Sequence, residues 1–178
     1  MEEVSSDEKW GNIKNVKCFI IEHKMAATRL GFKSFYEPLS EVSSYKQGLS
    51  KGELSVIGLF THILIPLKKA VISDNQFEIM RIVRNHSIPF IEKEESLSPT
   101  VIEELNLSVN ELIGKLSDDK STCKDLLTVI YEKNIFPIHK DLLRIIEDFP
   151  NSEDDDYDKF EKLRRSLGSA FSEVQKYY

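Results

Sequence analysis

At 178 residues, with 40% hydrophobic and 30% charged residues, the chain has the length and balance of one globular domain rather than of a disordered segment. Seven glycines and six prolines are too few for a turn-rich β-sandwich or barrel. Lys and Arg number 24 against 30 Asp and Glu, a formal charge of −6, so no global positive field steers the chain to nucleic acid, and only a local basic patch could.

Residues 1–10 read as a polar leader, and its acidic start, Met1-Glu2-Glu3-Val4, is neither a secretory signal nor a transit peptide. From there to residue 178 the pattern is helical throughout. Ile13, Val16, Phe19, Ile20, Ala27 and Leu30 form a stripe that stops at Gly31, a residue suited to a helix C-terminus. Phe35, Leu39, Val42 and Tyr45 recur about one turn apart up to Gly48. Pro38 belongs in a first turn, which predicts a start near Tyr36 or Glu37. Ser50-Lys51-Gly52-Glu53 then matches a capping box ahead of an apolar run.

That run predicts a helix over 51–72, apolar on nearly every side and therefore the buried centre of the fold. Its fourteen apolar-rich residues, 54–67, are too few to span a bilayer. Pro66 predicts a kink within it. A second capping box, Ser73 to Gln76, opens a helix with Phe77, Met80, Ile82 and Val83 inward, after which Pro89 imposes an extended connector. Ser98-Pro99 starts a helix to about Leu116. Two short helices, 122–134 and 138–149, follow; their shared Lys-Asp-Leu-Leu, at Lys124 and Lys140, is helix-start chemistry rather than a repeat. Last comes a long amphipathic helix from Ser152 to the end. Tyr157, Phe160, Leu163, Leu167, Phe171 and Val174 form its stripe, and Glu153 to Asp156 sit at its electropositive start.

The chain is thus read as all-α: a single-domain bundle of seven or eight helices around the 51–72 helix. No residue set announces chemistry. His23, His62, His86 and His139 stand apart and Cys18 and Cys123 make no ligand motif, so neither metal nor cofactor is implied. The cysteines read as reduced structural thiols, although sequence alone leaves a disulfide between them open. His62, on the apolar helix, reads as a core histidine rather than a catalytic base. Phosphate loops and nucleophile elbows are missing, and acidic pairs such as Glu103-Glu104 read as solvated surface.

Two surfaces remain. Aromatics at helix ends and connectors, Tyr45, Phe90, Phe136, Phe149, Phe171, Tyr177 and Tyr178, are residue types that either staple a core or anchor an interface. Arg81, Arg84, Lys159, Lys162, Arg164 and Arg165 form basic clusters able to meet phosphates, but acids on the same helices sit at neutralising spacing. A buried apolar helix ringed by amphipathic ones resembles the Bcl-2 arrangement in outline. That family's Asn-Trp-Gly-Arg signature is absent, because the single tryptophan lies in Lys9-Trp10-Gly11-Asn12, and the likeness stays architectural.

The reading is a non-enzymatic interaction module, an adaptor or scaffold of the cytoplasm or nucleus without a membrane role. It offers helix-lined grooves to partner helices or peptides, with a homodimer through the C-terminal helix as a further expectation. A helical nucleic-acid-associated factor is the alternative, and an enzyme the third.

Overall fold

The computed structural model of the protein describes residues 23–92, 97–147 and 154–177, and all structural statements concern these. Eleven α-helices account for most of them: α1 His23–Leu30, α2 Lys33–Glu41, α3 Lys46–Lys51, α4 Ile65–Ile72, α5 Gln76–His86, α6 Ile88–Glu92, α7 Pro99–Ser117, α8 Cys123–Glu132, α9 Lys140–Ile146, α10 Asp154–Leu167 and α11 Phe171–Tyr177. A 3₁₀ turn, Ser55–Ile57, and a π segment, Leu59–Leu64, lead into α4. The chain is all-α, cut into more and shorter pieces than the seven or eight expected.

The apolar run does lie at the centre. Val56, Ile57, Phe60, Leu64, Ile65 and Leu67 are at most 2% exposed, whereas Ser55 and His62 are exposed and Gly58 and Pro66 half-buried. His62 is therefore not a core histidine. The backbone there is not the single helix expected. Gly52, at φ +71°, ends α3 in the left-handed conformation that glycine adopts without steric cost, and helical turns resume only at Ser55. Ser50 is not a cap, because its hydroxyl donates to Gln47 O inside α3. In the π segment the Ile65 N–H donates to Phe60 O, five residues back. Pro66 therefore falls in the first turn of α4, where its missing N–H is tolerated, instead of kinking a continuous α-helix.

Other boundaries move for local reasons. Gly31, at φ +77°, closes α1 as expected, with Phe32 N–H donating to Ala27 O; the stripe before His23 lies outside the described residues. Helix α2 begins at Lys33, so Pro38 is its sixth residue rather than in its first turn, and the segment splits into α2 and α3 around Val42–Tyr45. Pro89 sits in the first turn of the short helix α6, not in an extended connector. Ser98 caps α7 as expected, accepting from Val101 N–H at 3.4 Å. Helix α8 carries a capping box that sequence reading passed over. The Thr122 hydroxyl accepts from Asp125 N–H, and the Asp125 carboxylate accepts from Thr122 N–H at 2.8 Å and is held below the usual carboxylate range by those bonds.

The C-terminal stripe is real, but the helix is two helices. Its expected start at Ser152 lies outside the described residues. Gly168 and Ser169 break the backbone, and the loop before α8 takes the freed groups: Cys123 N–H donates to Ser169 O at 3.1 Å and Phe171 N–H to Ser121 O at 3.0 Å. Leu163, Leu167, Phe171 and Val174 are nonetheless buried, Phe160 half-buried and Tyr157 exposed. They cover the body of the same chain. Helix α10 lies along α2 and touches α9, while α11 rests on α1, α2 and the π segment. The Ser166 hydroxyl donates to Phe35 O at 2.7 Å, and Glu173 accepts from Ser34 Oγ and from Phe35 N–H, supplying the side-chain cap that α2 lacks locally.

Candidate protein-binding groove

Helix α4 packs against both α5 and α7, but α5 and α7 do not pack closely on each other. Between them lies an open groove of about 380 Å³. Val71 lines it from α4, Ile79, Met80 and Val83 from α5, and Val109 and Ile113 from α7, with Asp74, Gln76, Asn106 and Asn110 as polar neighbours.

Turn chemistry sets the angle of the α5 wall. Asp74 holds φ +50°, which Asp tolerates better than most residues, and Asn75 N–H donates to Ala70 O. The cap of α5 is Asn75, whose side chain accepts from Glu78 N–H at 3.1 Å; Ser73, the expected cap, instead donates to the last carbonyls of α4. Ile79, Ile82 and Val83 are consequently the inward residues of α5. Phe77 and Met80, expected inward, are 79% and 60% exposed. Ile72, before the turn, is 73% exposed, and Leu107 on α7 is 66% exposed. Single exposed apolar residues are unremarkable, and of these four Met80 lines the groove.

The aromatics proposed as anchors are mostly staples. Tyr45, Phe136 and Phe171 are at most 6% exposed, and Phe90 packs half-buried against the core. Tyr177 donates to Leu49 O at 2.6 Å and packs among Phe32, Phe35 and Tyr36, and burial pushes its hydroxyl up to about 12. Phe149 and Tyr178 lie outside the described residues.

The basic clusters are not brought together. Arg81 and Arg84 ride on α5, the other four on α10, and these helices share no substantial contact. Arg81 is held bidentately by Glu78 at 2.6 and 2.7 Å. Lys162 pairs with Asp158 at 2.6 Å, and Arg164 lies 3.8 Å from Glu161. Lys159 meets Asp141 at 2.8 Å beneath the Tyr45 ring, and Tyr45 OH donates to the same carboxylate. Burial alone would raise the Asp141 pKa, but the bonds from Lys159 and Tyr45 outweigh it and hold the carboxyl below its usual range. Arg165 lines a separate depression between α2 and α10 that also holds Lys33, Glu37 and Glu41, a mixed-charge surface.

Among the described residues no three His, Cys, Asp or Glu side chains gather as metal ligands, and no helix is long and apolar enough to cross a membrane. Cys123 is a free, buried thiol whose pKa burial drives far up, so it packs as an apolar residue; Cys18 lies outside the described residues. An uncovered face on α5 is legible in the sequence. Phe77, Ile79, Met80, Ile82 and Val83 spread over roughly 220° of the helix at 100° per residue, more than one buried face needs. No protein-family model, curated protein or solved structure matches the chain.

Proposed function

We propose that the protein is a non-enzymatic interaction module whose α5–α7 groove receives an apolar helix or peptide from another protein. One observation carries this reading: Met80, 60% exposed, stands on the wall of an open groove lined by Val71, Ile79, Val83, Val109 and Ile113, and Phe77 and Leu107 are exposed on the two helices that flank it. A partner helix would set anchors at three- and four-residue spacing onto Val71, Val83 and Ile113, while Asn106 and Asn110 offer hydrogen bonds along the rim. Side-chain amides and Gln76 suit the flank of such a helix, where orientation is fixed by a few polar contacts around an apolar centre.

The test compares proteins retained from native cells by the whole chain, by the groove variants Asn110→Trp and Ile113→Glu, and by Tyr157→Glu on α10. Partners kept by the whole chain and by Tyr157→Glu but lost from both groove variants, each folded by circular dichroism, are the expected result. Equal retention by all four would reject the groove.

A further inference from the structure

Helix α5 has a second face, beside the groove wall. Phe77, Met80, Arg81 and Arg84 lie together over roughly 40–140° of its circumference, counted at 100° per residue from Gln76. Phe77 and Met80 dominate it, 79% and 60% exposed. The charges along this face are ordered: Asp74 precedes the helix, and Arg81 and Arg84 follow toward its C-terminus. Glu78, at about 200°, flanks the face and His86 lies off it. Arg81 is neutralised by its own Glu78, whereas Arg84 makes no ion pair among the described residues.

We propose that this face docks a second copy of the chain, the two α5 helices crossing antiparallel about a twofold axis beside Met80 and Arg81. In that register Phe77 of each copy meets Arg84 of the other, Met80 meets Arg81, and Gln76 meets Asn85. Each Arg84 guanidinium lies over a Phe77 ring, a cation–π contact made twice by symmetry. The acidic end of each helix faces the basic end of its twin, and the antiparallel helix dipoles attract. This order, acid then aromatic then base along one helix, is self-complementary, which is why the occupant is a second copy rather than an unrelated helix. A patch of a few hundred Å² at its centre is smaller than the roughly 800 Å² per partner of a stable interface, so the dimer forms and dissociates with concentration.

Sedimentation equilibrium of the full chain tests this, over about 1 to 100 µM, where small interfaces associate. The expected mass rises from 20.6 kDa toward twice that value. Phe77→Lys sets a cation against Arg84 and should hold the single-chain mass throughout, with unchanged thermal melting because the side chain is exposed. Adding Arg84→Glu to Phe77→Lys opposes the new charges and should restore the doubling. A wild-type chain that stays single, or a Phe77→Lys chain that still doubles, would overturn the dimer. A double variant that stays single would overturn the antiparallel register on which the argument stands. The groove residues Val109 and Ile113 are untouched, so failure here and failure of partner binding in the groove are read separately.

Discussion

The C-terminal helices and helix α5 both carry large apolar residues, yet the C-terminal stripe is covered and Phe77 and Met80 on α5 are not. Leu163, Leu167, Phe171 and Val174 lie on the body of the same chain, locked by long-range bonds from Ser166 to Phe35 O, Tyr177 to Leu49 O and Glu173 to the start of α2. Phe77 and Met80 have no such cover. A regular stripe is therefore poor evidence of a free surface. It is the excess over one face, in a helix whose inward side is already filled by Ile79, Ile82 and Val83, on which the proposed place for a partner rests. The long, regular C-terminal segment offers its stripe either to the body of the chain or to a homodimer, and in the folded chain the stripe lies on the body.

Removing residues 150–178 strips four buried apolar side chains, each worth about 1.5–3 kcal/mol, and that loss rivals the ~5–15 kcal/mol net stability of a typical domain. The truncated chain should show no cooperative melting by circular dichroism. Cooperative melting near the full-chain midpoint would make α10 and α11 a detachable arm and erase the contrast.

Leu59→Asp, in the π segment, buries an unpaired charge at a 7%-exposed site and should cost several kcal/mol, enough to unfold the domain or leave it with a collapsed transition. A soluble variant with near-native melting would show that the central run, too, is partly uncovered.

Asp141→Asn tests the polar seam joining α9 to α10. Loss of the Lys159 and Tyr45 partners should lower stability by about 1–3 kcal/mol, with the melting midpoint falling roughly 2–4 °C per kcal/mol. The folded-state pKa of Asp141 lies below its unfolded value, so its contribution is complete at neutral pH. It disappears as the pH falls past the ordinary Asp value of about 3.9 and through the depressed one. Wild-type and variant midpoints should therefore converge in acid; a gap that persists well below that range would assign the effect to packing.

Met80→Ser should change melting by no more than about 0.5 kcal/mol, since an exposed side chain loses little on truncation. A large destabilisation, seen in urea midpoints, would mean that the α5 face is covered within the chain after all.

Much of this could be read in advance, and the misses share a cause. Periodicity located the core face of nearly every element, including Leu163 to Val174, because side-chain direction follows the helical period whether or not the backbone is continuous. It could not see the break at Gly168, because the stripe resumes in phase at Phe171 and the segment that bonds to the break, Ser121 to Cys123, is distant in sequence. Ser98 caps where its pattern predicts, but Ser50 and Ser73 satisfy carbonyls of the preceding helix: the turn after Gly52 opens at Leu54 without a side-chain cap, and Asn75 caps α5 after Asp74 turns the chain. The groove needs three helices at once, α4 holding α5 and α7 apart, and no local pattern encodes that spacing.

The account rests on the α5–α7 wall, not the C-terminal stripe, being the surface that meets other chains. Its most direct test is a photo-cross-linking amino acid placed at Asn106 on the groove and, separately, at Tyr157 on α10, irradiated in native cells. Adducts with another protein from Asn106 and none from Tyr157 are predicted. Adducts from Tyr157 alone would contradict the account and return the interface to the C-terminal helices.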